Sequence, residues 1–224
     1  MLAVKYMREG KNPDALELLR KGEKLAENND HGLAMTYNNL ACYYRKINQL
    51  RSALIYLERA LQIEQRHQST AAKADTHLNM CAVLSQLGRH DHAMLHAHQA
   101  IIIVQSTLLM YHLPHRRQPN SKKGGKGEDA IKESTEATKE FKDRISVLTI
   151  AYHNLAVEQE FMHMYHEAVS SYQMARDFAN SYLGTDDSIS QNLSQIYEKA
   201  KHEIEQKITK IKNNEEKVSQ NRNK

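Results

Sequence analysis

Apolar residues recur at intervals of three and four through most of the chain, as in Leu40, Ala41 and Tyr44, then Ala53, Leu57 and Ala60. Ala168, Tyr172, Ala175, Ala179 and Tyr182 keep one such stripe for four turns. This period predicts amphipathic helices with one buried face, and no strand-type alternation runs for more than a few residues. The helical pattern also repeats. An Asn-Leu or Asn-Met pair opens it at Asn39-Leu40, Asn79-Met80, Asn154-Leu155 and Asn192-Leu193, spaced 40, 75 and 38 residues apart. Fixed periods of this size mark stacked repeat arrays, and the interval of 75 fits one repeat plus an insertion of about 35 residues.

The best-formed copy reads Tyr37-x2-Leu40-Ala41-x2-Tyr44 followed by Ala53-x3-Leu57-x2-Ala60. A later copy reads Tyr152-x2-Leu155-Ala156, then Ala168-x3-Tyr172-x2-Ala175, with Gln159 in place of the second aromatic. Between them stands a weaker one, His77-x2-Met80-Cys81-x2-Leu84 and Ala93-x3-Ala97-x2-Ala100, with Gly88 in the turn. Small residues let two antiparallel helices approach, and large ones three or four positions away fill the groove between them. At the N-terminus only a second helix is intact, with Asn12 expected as its cap, Pro13 at the first helical position and Ala15-x3-Leu19 as its packing pair. A helix pair of this kind cannot bury its apolar face alone, so the pairs must stack and the last needs a cap. Ile189, Leu193, Ile196, Tyr197 and Ala200 supply one between Thr185 and about Ile211, and the polar residues from Lys207 to Lys224 are expected to fray.

The frame resembles the tetratricopeptide pattern W-x2-L-G-x2-Y…A-x3-F, with Tyr for Trp, Ala for Gly and Leu for Phe. Within that family it is most similar to the kinesin-light-chain type. Asn39-Leu40-Ala41, Asn154-Leu155-Ala156 and Leu183-Gly184 carry that likeness, and Thr185-Asp186-Asp187 depart from the His-Pro that often follows Leu-Gly in that type. The resemblance implies an all-α fold, an α-solenoid of antiparallel helix pairs forming a superhelix with a C-terminal capping helix. The expected organisation is repeat pairs over 1–112, a basic flexible insert over 113–143 that regains helix from Glu128 to Arg144, a further pair over 144–184, and the capping helix with a polar tail over 185–224.

Composition agrees with helices: 8 Gly, 3 Pro and 3 Phe in 224 residues leave too little turn punctuation for a sheet protein. The net charge of +4 is concentrated in Arg116, Arg117, Lys122, Lys123 and Lys126, so the rest of the chain is near neutral and nucleic acid is not an expected partner. That basic insert is expected to be a solvated excursion, with contact to an acidic surface such as tubulin tails as its functional alternative. Cys42 and Cys81 stand apart inside predicted helices, as core residues of a reduced compartment. Neither a signal peptide nor a membrane-length apolar run is present, which places the chain in the cytoplasm, with a cytoskeletal or ciliary site as a refinement.

Catalysis is not expected. The chain has no GxSxG, no strand-borne GxGxxG and no phosphate-binding loop, since Gly124-Gly125-Lys126-Gly127 follows no strand. No cofactor or small-molecule substrate is implied. His92 and His96 share a helix face four residues apart but lack a third ligand, so no metal site is expected either.

The function that remains is protein binding. In tetratricopeptide arrays the first helices line a concave wall, and the resemblance implies that Asn39, Asn79 and Asn154 form a ladder bonding an extended peptide backbone. Asn192 belongs to that ladder or to the cap. An amide supplies the donor and acceptor together that such a backbone presents. Asn38, Cys42, Arg45, His153 and Glu160 are expected to face the same groove, which then shows no strong charge preference. The expected role is an adaptor or scaffold for a partner's peptide segment. The alternative is a structural component of a cytoskeletal or ciliary assembly, with the insert against an acidic surface.

Overall fold

The computed structural model describes the backbone of residues 2–66, 70–115 and 127–222, and every regular element among them is an α-helix. In chain order these are α1 (Leu2–Arg8), α2 (Asn12–Leu25), α3 (Asp30–Lys46), α4 (Leu50–Arg66), α5 (Thr70–Gln86), α6 (His90–His115), α7 (Gly127–Phe161), α8 (Tyr165–Tyr182) and α9 (Ser188–Arg222). They form two compact units, Met1–Gly124 and Gly125–Lys224.

The first unit is a stack of three helix hairpins, α1–α2, α3–α4 and α5–α6, with α2 packed on α3, α4 on α5, and α3 alongside α5. In the second unit α7 and α8 make a fourth hairpin and α9 packs on α8. One turn builds all four. Gly10, Asn48, Gly88 and His163 each take a left-handed backbone, with φ of 79°, 60°, 72° and 60°. The N–H of the next residue reaches back to the carbonyl five positions earlier, at 2.9 Å for Lys11 to Tyr6, 2.8 Å for Gln49 to Tyr44, 2.9 Å for Arg89 to Leu84 and 2.8 Å for Met164 to Gln159. This is the Schellman ending, which satisfies the orphan carbonyls of the first helix while it reverses the chain.

That turn puts every hairpin in one register. Five residues after it lie Ala15, Ala53, Ala93 and Ala168, all fully buried, and four further on stand Leu19, Leu57, Ala97 and Tyr172, also buried. Between α2 and the next hairpin, Arg20 donates to the hydroxyls of Tyr44 (2.9 Å) and Tyr56 (2.8 Å) while lying over the Tyr56 ring. The cap works as its stripe predicts: Leu193, Tyr197, Ala200 and Ile204 of α9 are buried, the last three against Ala156, Ala168 and Tyr172.

Two expectations about local structure need correction, the cap of α2 and the fraying of the C-terminal tail. Asn12 is not the cap of α2. Lys11 holds that position without a side-chain cap bond, because the preceding turn feeds straight into the helix, and Asn12 is already helical. Within the expected insert, α6 continues to His115 and α7 begins at Gly127, so the helix expected over Glu128 to Arg144 is present, and 116–126 lie outside the described residues. The polar stretch after Lys207 continues α9 to Arg222.

Candidate partner-binding groove

A polar cavity of about 230 Å³ opens in the first unit between α3, α5 and the end of α4, lined by His31, Ala34, Met35, Asn38, Asn39, Glu64, Asp75 and Asn79. Next to it a cleft of about 580 Å³ shares His31, Ala34 and Glu64 and extends over Glu27, Asn28, Asn29, Asp30 and Ile63. Both follow from the register. Asn39 and Asn79 each precede the buried residue of a first helix, Leu40 and Met80. Stacking α3 beside α5 therefore brings their polar edges to one wall.

Side chains there form a directed chain of hydrogen bonds. The Cys42 thiol donates to Asn79 Oδ1 (3.8 Å), Asn79 Nδ2 to Asn38 Oδ1 (3.2 Å), Asn38 Nδ2 to Thr76 Oγ1 (2.7 Å), and Thr76 Oγ1 to Glu64 Oε1 (2.9 Å). Asn38 Nδ2 also lies 3.4 Å from Glu64 Oε1. The relay ends on a carboxylate that is 3% exposed, and whose other oxygen, Oε2, is buried with no hydrogen-bond partner among the described residues. Burial pushes the Glu64 carboxyl above the ordinary carboxylate range. Thr76 acts against that shift, Asp75 adds to it, and Lys73 and Asn38 oppose it. Burial likewise raises Cys42, keeping the thiol proton that the relay donates.

Glu64 is the residue that sequence reasoning missed. Sixteen residues after their turns, the other hairpins carry Ala26, Val104 and Ala179, all buried. Extending each Ala-x3-large-x2-small frame by one more helical turn reveals this odd carboxylate in a small-residue slot.

The predicted residues divide between the units. Asn38, Asn39 and Asn79 line the cavity; Asn39 also donates to the Met35 carbonyl at 2.8 Å. Arg45 is half-buried in the last turn of α3, away from the lining. In the second unit His153 and Asn154 are half-buried on α7. The His153 ring packs on Tyr172 with centroids 5.7 Å apart, its Nδ1 is buried with no partner among the described residues, and burial lowers its pKa. Glu160 accepts from Lys207 of α9 (2.6 Å) and from the Tyr172 hydroxyl (3.3 Å), so it ties the cap to the hairpin. Asn192 is exposed on α9. Arg116, Arg117, Lys122, Lys123 and Lys126 lie outside the described residues.

Histidines pair differently from their sequence spacing. His96 faces His77 across the α5–α6 hairpin with Nδ1 atoms 2.8 Å apart, while His92 contacts Asp91 at 2.9 Å. Among the described residues no group of three His, Cys, Asp or Glu side chains is placed to hold a metal ion, and no helix is long and apolar enough to cross a membrane.

Residues 2–66, which span α1 to α4, match the family model of the tetratricopeptide repeat. No curated protein matches the chain in sequence. Similar solved structures include a putative kinesin light chain from Podosopora anserina with nearly identical TPR-like repeats, at 16% identity and a TM-score of 0.44, covering 80% of this chain and 92% of that one. BtubC (BKLC) from P. vanneervenii is 15% identical with a TM-score of 0.44, covering 84% of this chain and 80% of that one. MamA is 17% identical with a TM-score of 0.38, covering 81% and 96%.

Proposed function

From a chain whose residues 2–66 are tetratricopeptide repeats, we propose a protein-binding adaptor that holds an extended peptide segment of its partner along the first helices. The observation that carries this reading is the open polar cavity between α3 and α5, with Asn38, Asn39 and Asn79 on one wall. Buried faces of repeat helices are apolar. An amide-lined opening at their edge offers a peptide backbone donors and acceptors without requiring a particular side chain. Asn154 is assigned the same kind of role within the second unit, taken by itself. Arg45, His153 and Glu160 are better read as flanking or supporting residues, given their places outside the cavity.

A second reading, a structural component of a larger cytoskeletal or ciliary assembly, has its own support. Leu95, Ile102 and Leu109 stand seven residues apart on α6, each more than half exposed. A stripe of that kind suits a helix-to-helix contact.

Affinity purification followed by mass spectrometry separates the two. The chain is compared with the variant combining Asn39→Ala, Asn79→Ala and Asn154→Ala, with one combining Leu95→Ser, Ile102→Ser and Leu109→Ser, and with a deletion of residues 114–127. Partners lost only from the asparagine variant support the groove. Loss only from the α6 variant, or only on deletion, moves binding to the apolar stripe or the basic segment and rejects the groove.

A further inference from the structure

Glu64 raises a question that the peptide-groove reading leaves unanswered. A backbone-binding wall needs amides, yet the relay from Cys42 through Asn79, Asn38 and Thr76 converges on a charged group. An ionised carboxylate is costly to bury with one oxygen unsatisfied, and an apolar residue of suitable size is usually neutral or better for stability at such a site. This chain places Ala26, Val104 and Ala179 at the same register elsewhere. Holding one Thr76 hydroxyl requires one acceptor oxygen, and Glu64 Oε1 supplies it at 2.9 Å. Oε2 is surplus to that structural task.

Its surroundings indicate what it is surplus for. Glu64 lines both the cavity of about 230 Å³ and the adjoining cleft, so its carboxylate belongs to the wall along which a bound segment would pass. Described lining residues contribute four carboxylates, Glu27, Asp30, Glu64 and Asp75, and neither Lys nor Arg. Asp30 and Asp75 have other interactions of their own, and Lys73 acts on Glu64 from α5, so the field is acidic but not unopposed. The smaller cavity lies below the roughly 300–1,000 Å³ of pockets for drug-sized ligands. It has the scale of a single long side chain, with the cleft beside it for the chain that carries that side chain.

We propose that this cavity is a specificity pocket for one cationic side chain, an arginine or a lysine of the bound peptide, received by Glu64 Oε2 with the Asn38 and Asn79 amides beside it. This rests on the peptide-groove reading and adds a sequence requirement to it. The acceptor is a buried carboxylate, and a charge-assisted hydrogen bond is about twice as strong as a neutral one. The relay fixes Glu64 before the cation arrives, so little ordering is left to the binding step.

The test uses the full chain, labelled with ¹⁵N, and four acetylated, amidated heptapeptides Gly-Ser-Gly-X-Gly-Ser-Gly, in which X is arginine, lysine, citrulline or glutamate. Shifts of the Asn38 and Asn79 side-chain amides and of the Thr76 backbone amide report binding. Arginine and lysine peptides are expected to bind about tenfold or more tightly than the citrulline peptide, and the glutamate peptide weakest. Glu64→Gln should bring arginine and citrulline together. Asn39→Ala, at a lining residue outside the relay, should weaken every peptide while keeping their ratio. Equal binding of arginine and citrulline by the unaltered chain, or a ratio unchanged in Glu64→Gln, overturns the cation pocket and leaves the backbone groove standing. No shift at these amides from any peptide overturns both. The wild-type ratio needs no variant, so poor folding of Glu64→Gln would not rescue the proposal.

Discussion

At the scale of single residues, Glu64 is a stability cost kept in the interior. Its carboxyl is raised above its unfolded value of 4.5, so the native chain binds more protons than the unfolded chain just above that pH. Stability contributed by this group is therefore lost as pH rises from 4.5 through the folded value. Glu64→Gln keeps the shape and an acceptor for Thr76 while removing the charge. Its melting temperature should exceed that of the parent at pH 7, by the few degrees expected for relief of about 1–3 kcal/mol of unsatisfied burial, and converge with it below pH 4.5. An equal or lower melting temperature at pH 7 would mean that Glu64 is already compensated inside the chain. His77 has the opposite sign. Burial, then His96 and Lys73, lower its pKa from 6.5 to about 4, so the unfolded chain takes up the proton first. Stability from this group is full above 6.5 and declines as pH falls toward 4. His77→Gln should flatten the fall in urea midpoint between pH 6.5 and 4.5. An unaltered slope would assign the acid sensitivity elsewhere.

At the scale of elements, the turn decides where a side chain can be placed. Gly88 and His163 occupy the same left-handed position in two hairpins, and an added Cβ at Gly88 would meet no atom within 4 Å. Gly88→Ala is therefore a pure backbone change, expected to cost about 1 kcal/mol and to lower the melting temperature by roughly 2–4 °C. His163→Gly should gain a similar amount, less the contact His163 makes with the Tyr165 hydroxyl at 2.9 Å. Calorimetry on the two variants checks both signs together. Most of these elements were legible. The 3.6-residue period, the alanines at close-approach points and the asparagine repeat were enough for the hairpins and their order. The reach of α9 on to Arg222 was not, because a polar helix without an apolar stripe looks like a loop by periodicity alone.

At the scale of the whole molecule, each helix is stabilised by its neighbours in the stack, and the end of the array depends on its cap. Ile204 of α9 is fully buried among Ala156, Ala168, Tyr172 and Tyr197. Ile204→Ala should cost about 2–5 kcal/mol. Loosening α9 should speed amide hydrogen exchange in α8 and α9 by at least tenfold, read by mass spectrometry. Unchanged protection there would mean that α9 is not what closes the second unit.

Sequence alone determined the helical class, the repeat period and the fully buried alanines, because each depends on the spacing of residues along one helix. It also put Asn38 and Asn39 on one first helix and Asn79 on the next. What only the tertiary structure decided is what those residues meet. The bond between Asn38 and Asn79 joins residues 41 apart, and Glu64 enters the site from α4, a second helix whose register reads as core. Hydrogen bonds of this kind are set by how hairpins stack. A one-dimensional period carries the faces of each helix but not the distance between two of them.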